Sequence, residues 1–209
     1  MPSEPQPAPK PANPRLLQDG RDMFWSIAPL VLACIVLAGV AGTCSFSPGG
    51  MSAGPVPSYD AVTALHADAR TLGFPVRLPD LPEGWQSNSG SRGSIADGRS
   101  DSSGQRLRAV ISRVGYLSPT GMYLSLTQSN ADETALVAAV HPGLHPTGTE
   151  DVDGTAWVVY EGDDQPVWTT RLTTRAGAAQ LAITGAGSIE QFRTLAAATQ
   201  SQTPLPSTE

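Results

Sequence analysis

Between Asp22 and Asp60 the chain carries no charged residue. Within that stretch Met23 to Phe46, MFWSIAPLVLACIVLAGVAGTCSF, is nearly all apolar or small. A helix of this length, rising about 1.5 Å per residue, covers the ~30 Å hydrocarbon core of a bilayer with some tilt. Pro29 lies near its start, where a missing N–H costs least. Phe24 and Trp25 stand at the entry, suited to the interface where amphipathic rings settle. The expectation is one transmembrane helix over residues 23–46.

The basic residues near the span are one-sided. Lys10, Arg15 and Arg21 precede it, and the next is Arg70. The bias predicts a cytoplasmic N-terminus and an extracytoplasmic C-terminal part held at the cell membrane by a signal-anchor. Two alternatives stay open. Ala41-Gly42-Thr43 offers small residues for signal cleavage. Cys44, followed by SFSPGG, offers a lipidation site, although Thr43 and Ala41 suit one poorly. Cys34 and Cys44 are the only cysteines and both fall in the span, so the exported part folds without disulfides. On a membrane helix they read as small apolar filler.

Composition divides the rest. Residues 1–22 form a Pro-rich tail expected to be disordered and cytoplasmic. Residues 47–58 are a Pro/Gly/Ser linker. Residues 59–200 are long enough for one domain with its own core, and residues 201–209 read as a loose tail. From Tyr59 onward there are ten Arg, no Lys and sixteen Asp or Glu, a balance of −6. That argues against nucleic acid, which calls for a basic face, and against lying flat on anionic lipid.

Periodicity gives an α+β class with a mainly antiparallel sheet of about 7–8 strands and about three helices. Ser58 to Leu72 reads as a helix capped by Ser58. Phe74 to Trp85 starts as a short strand and turns, and Trp85 leads into a second strand. Asn88 to Gly104, rich in Ser and Gly, reads as a mobile loop. Arg106–Leu117 and Met122–Ser129 are a strand pair joined by SPTG, which fits a type I turn. Asn130 and Glu133 have capping-box spacing and open a helix to about Val140. Strands follow at Thr147–Val152, Thr155–Glu161, Val167–Thr174 and Ala178–Thr184, with Asp153-Gly154 as a tight turn. A last helix begins at Ser188, with Gln191 in the reciprocal capping position.

LPEGW, GYLSPTGMYLSLTQSNA, DGTAWVVYE and ITGAGSIEQF, in this order behind one apolar span, resemble the actinobacterial domain-of-unknown-function family 4245. The resemblance covers nearly all of Arg21 to Ala198. It implies a single-pass membrane protein with an exported domain, and it implies no reaction and no catalytic residues.

No motif supplies a reaction either. His141 and His145 have metal-ligand spacing, but Pro142 and Gly143 break the helix between them. Glu150, Asp151, Asp153 and Gly154 only faintly suggest a calcium loop, since Glu161 falls one residue late. No metal or other cofactor is expected, and no catalytic residue is assigned. The aromatic residues Trp85, Tyr116, Tyr123, Trp157, Tyr160 and Trp168 are spread over several strands and read first as core and rim. The alternative is that Trp85, Tyr123, Trp157 and Trp168 line a groove for an envelope protein, lipid or glycan partner. The function expected is a membrane-anchored extracytoplasmic binding or assembly module of the cell envelope. The alternative is an envelope enzyme, hydrolase-like, acting on wall or lipid substrates.

Overall fold

The computed structural model describes residues 19–40, 57–100, 104 and 106–207. The chain divides into two compact units, Met1–Gly54 and Pro55–Glu209.

In the first unit α1 spans Asp19–Val40, with Pro29 inside it. Trp25, Leu30, Leu32 and Leu37 are largely exposed, as is Cys34. Among the described residues no helix is long and apolar enough to cross a membrane. Asp19, Arg21 and Asp22 occupy the first turn of α1, and its uncharged part runs only from Met23 to Val40. Positions 41–46 of the expected span, Cys44 among them, lie outside the described residues, as do most of the N-terminal tail and linker.

The described residues of the second unit form an antiparallel seven-stranded sheet with three helices. In chain order it runs α2 (Ala61–Thr71), β1 (Gln86–Ser100), β2 (Arg106–Leu117), β3 (Tyr123–Ser129), α3 (Glu133–Val140), β4 (His145–Val152), β5 (Thr155–Glu161), β6 (Val167–Thr174), β7 (Gly177–Gly185) and α4 (Ile189–Gln200). The strand order is β1-β2-β3-β7-β6-β5-β4. Two runs of hairpins therefore meet at β3 and β7, and β1 and β4 are the edges.

Alternation along the strands sorts the core. Val114, Tyr116, Leu124, Leu126, Trp157, Trp168, Leu181 and Ile183 share one face with Leu65 of α2 and Phe192 and Leu195 of α4. The other face is covered in part by α3, whose Leu136 and Val137 pack with Ala109, Val167 and Ala182. This second layer is small and polar-rich: Ser125, Thr127, Ser129, Thr169 and Gln180 are buried there. Thr127, Ser129, Thr169 and Gln180 are hydrogen-bonded, as where Gln180 Nε2 donates to Thr169 Oγ1 at 2.8 Å and Thr169 Oγ1 to the Leu181 carbonyl at 2.7 Å.

Several expectations are corrected. The stretch read as a mobile Ser/Gly loop is β1, paired with β2 from Gln86↔Leu117 to Ser100↔Arg106 with two register shifts. Backbone hydrogen bonds to β2 define it, so its side chains show no apolar alternation. No strand forms between Phe74 and Trp85. There the Gln128 side chain takes the place of a neighbouring strand: Arg77 N–H donates to its Oε1 at 2.8 Å and its Nε2 donates to the Arg77 carbonyl at 2.7 Å. The cap of α2 is Asp60, which accepts from Thr63 N–H, and not Ser58. The cap of α3 is Asp132, because the Asn130 side chain is already accepting from Val110 N–H at 2.8 Å. The stretch read as a loose tail is tied in at Leu205, whose N–H donates to the Val76 carbonyl at 2.8 Å.

Three local expectations match. Gly121 N–H donates to the Ser118 carbonyl at 2.8 Å, closing the SPTG turn. Asp153 and Gly154 both adopt positive φ, 48° and 82°, as a type I′ hairpin turn requires. Ser188 and Gln191 form the reciprocal capping box of α4.

Candidate binding pocket

Where α4 begins, its first turns and β4, β5 and β6 enclose a cavity of about 110 Å³. Glu150 comes from β4, Val159 and Glu161 from β5, Pro166 and Trp168 from the start of β6, and Gly187, Ile189 and Phe192 from the entry to α4. Trp168 and Phe192 are buried and tilted at 45° with ring centroids 5.3 Å apart, forming the apolar wall. Ile189 stands at the mouth, 59% exposed.

The rim is held by local chemistry. Gln191 Oε1 accepts from Ser188 N–H at 2.9 Å, and its Nε2 reaches across to Ser118 and Thr120 of the SPTG turn at 2.9 and 2.8 Å. Ala186 N–H donates to the Tyr123 carbonyl. Gly185 lies at φ 151°, and a Cβ there would meet the Tyr123 carbonyl oxygen at 2.3 Å, so only glycine lets β7 turn into α4 against β3. These contacts bring Met122 and Tyr123, both exposed, to the end of the sheet where Ile189 sits. The chain also enters the unit at this end, since Tyr59 N–H donates to the Ser87 carbonyl and Ser87 lies opposite Tyr116.

Charge at the pocket is mainly negative. Arg193 Nη2 binds Glu150 at 2.7 Å and its Nη1 binds Glu190 at 2.9 Å, which holds the guanidinium above its usual range. Glu161 is exposed opposite His145 of β4, and its carboxylate has no hydrogen-bond or ion-pair partner among the described residues.

The four aromatic residues expected to line a groove are divided. Only Trp168 lines the pocket. Trp157 lies on the same face of the adjacent strand, fully buried, with its indole N–H donated to Gln200 Oε1 at 2.8 Å. Trp85 is half-buried against the same core. Tyr123 lies on the opposite face of the sheet, its ring over Gly115, where a Cβ would clash. Phe192, Glu150, Glu161 and Ile189 were not singled out as pocket residues. Helical spacing put Phe192 on the buried face of α4, but which strands it would face depends on the β5–β6 register, Val159↔Trp168.

Apart from Arg193, the groups with displaced pKa among the described residues lie away from the pocket. Burial pushes the Tyr116 hydroxyl up inside the core. Tyr160, on the α3 face, is pushed up to about 12 by burial and by its hydrogen bond to Glu133. Burial pushes the Arg77 guanidinium down. Among the histidines, His141 caps the end of α3, with Nε2 3.9 Å from Asp164, and His145 begins β4. In the faint calcium pattern Asp151 accepts from Gly154 N–H at 3.1 Å while Glu150 binds Arg193. Among the described residues no three His, Cys, Asp or Glu side chains are grouped to hold a metal.

A family model described as a protein of unknown function, DUF4245, matches residues 15–199. The chain belongs to the DUF4245 family. No curated protein and no solved structure matches it. In this DUF4245 protein the matched region takes in α1, the whole sheet and all eight residues that line the pocket.

Proposed function

We propose that this DUF4245 protein is a membrane-anchored binding module of an actinobacterial cell envelope. Its N-terminus is cytoplasmic and its second unit is displayed outside, where it captures an envelope partner without chemical turnover. The carrying observation is the pocket walled by Trp168 and Phe192, with exposed Ile189 at its mouth and Met122 and Tyr123 on the same end. Large apolar side chains grouped on one end of a unit are the usual mark of an interaction site. General acid–base work needs ionisable groups converging on one cleft. Among the described residues the only displaced group at this pocket is Arg193, a cation tied to Glu150 and Glu190, the others being spread over the core, the opposite face and the cap of α2. The anchor is supported by the uncharged run from Met23 to Phe46 and by the basic residues confined to its N-terminal side.

One experiment tests both parts. Ile189→Cys in a Cys34→Ala/Cys44→Ala background is treated in intact cells with a membrane-impermeant maleimide carrying a photocrosslinker. The expected result is labelling without permeabilisation and a discrete light-dependent adduct. Labelling only after permeabilisation would refute the exported orientation. Labelling without an adduct would refute binding at this end.

A further inference from the structure

We infer that the pocket takes a single cationic side chain, a guanidinium or ammonium on an apolar stem, presented by a partner protein. The inference rests on the binding reading above and specifies its ligand. Size is the first argument. Pockets for free small ligands run about 300–1,000 Å³, whereas this cavity is about 110 Å³. That is the scale of one side chain.

The lining is the second argument. Trp168, Phe192 and Pro166 supply an apolar wall, and Glu161 supplies an exposed carboxylate without a partner among the described residues. Lys and Arg bury their stems along apolar surface while the charged head reaches polar groups. Aromatic neighbours favour a cation further. A guanidinium can meet a carboxylate with two parallel hydrogen bonds.

Charge complementarity is the third. Among the described residues Arg193 is the Lys or Arg side chain beside the pocket, and it is already shared between Glu150 and Glu190. Asp163 follows Glu161 in the exposed bend after β5, while Asp164 there lies 3.9 Å from His141 at the end of α3. The surplus at the pocket itself comes from Glu161, with Arg193 shared by two carboxylates. The start of α4 does not reverse this, because the Ser188 hydroxyl and the Gln191 side-chain amide already cap it. A partner carboxylate or phosphate would be repelled, and a plain apolar side chain would strip water from Glu161 with nothing in return. The balance of −6 from Tyr59 onward also speeds encounter with a basic partner.

The test titrates the full-length chain in detergent micelles with acetyl-Gly-Arg-Gly-amide and its citrulline twin, which keeps the shape and removes the charge. The Ile189 methyl and Trp168 indole signals are followed by NMR. The arginine peptide is expected to shift both signals in the millimolar range, with the citrulline peptide clearly weaker. Glu161→Gln should weaken arginine binding about threefold to fivefold, and Asp153→Asn, in the β4–β5 turn, should leave it unchanged. Equal binding of the citrulline twin, indifference to Glu161→Gln, or silence at all peptide concentrations would overturn the inference. A discrete Ile189 adduct in cells together with a silent arginine titration would remove the cationic occupant and leave the binding reading in place.

Discussion

Trp157 and Trp168 lie on the same face of adjacent strands and under the same helix, yet their surroundings differ. At the Trp157 end the layer between sheet and helix is closed. The side chain is fully buried, its N–H is donated to Gln200, and Gln200 Nε2 donates in turn to the Val152 carbonyl at 2.6 Å. At the Trp168 end the layer stays open. There Gly187 precedes the cap of α4 and Ile189 is exposed, and a cavity remains between Phe192, Trp168 and the carboxylates of β4 and β5. A strand residue of the same type can thus serve as core at one end and as a pocket wall at the other. What decides is whether the last turn or the first turn of α4 covers it, and what that turn carries.

The sharpest way to test this contrast is to empty the closed end. Trp157→Ala removes a fully buried indole and is expected to cost about 3–5 kcal/mol of stability, read as a drop in the urea midpoint. A cost as small as that of a surface change would show that this end is not closed. Next, Gln200→Ala leaves the buried indole N–H and the Val152 carbonyl without their partner. The expected loss is about 1–3 kcal/mol, again by urea unfolding. An unchanged midpoint would mean that packing alone seals the end. The smallest effect is expected at the open end. Ile189→Ser should change stability by less than about 0.5 kcal/mol while abolishing capture of the envelope partner. If Ile189→Ser instead unfolded the unit, Ile189 would belong to the core and the open end would not be a binding surface.

Local chemistry made much of the fold legible. In β3, Leu124 and Leu126 alternate with Ser125 and Thr127, and the first two face the main core. The turns at Ser118–Gly121 and Asp153-Gly154, and the cap at Ser188, involve residues close in sequence, so their signals are carried within a few positions. Polar residues that act at long range were not legible. β1 reads as a loop because an exposed edge strand needs only backbone pairing. Gln128 occupies an apolar position of β3, and only the folded chain brings its amide against Arg77, fifty-one residues away. Asn130 has the right spacing for a cap but bonds Val110 on the neighbouring strand instead.

The candidate site divides in the same way. Sequence by itself determined the α+β class, most of the element order, the uncharged N-terminal run and the acidic balance of the second unit, because hydrophobic period, turn residues and charge act through neighbours in the chain. It also marked Trp168 as a residue able to line a groove, but gave Trp85, Tyr123 and Trp157 the same status. Only the tertiary structure decided among them. Strand register set Trp168 beside Val159, Gly185 turned β7 back against β3, and the capped start of α4 came to rest over β4, β5 and β6. A pocket is a gap between elements distant in sequence, so its shape and free carboxylate appear only once long-range pairing has brought those elements together.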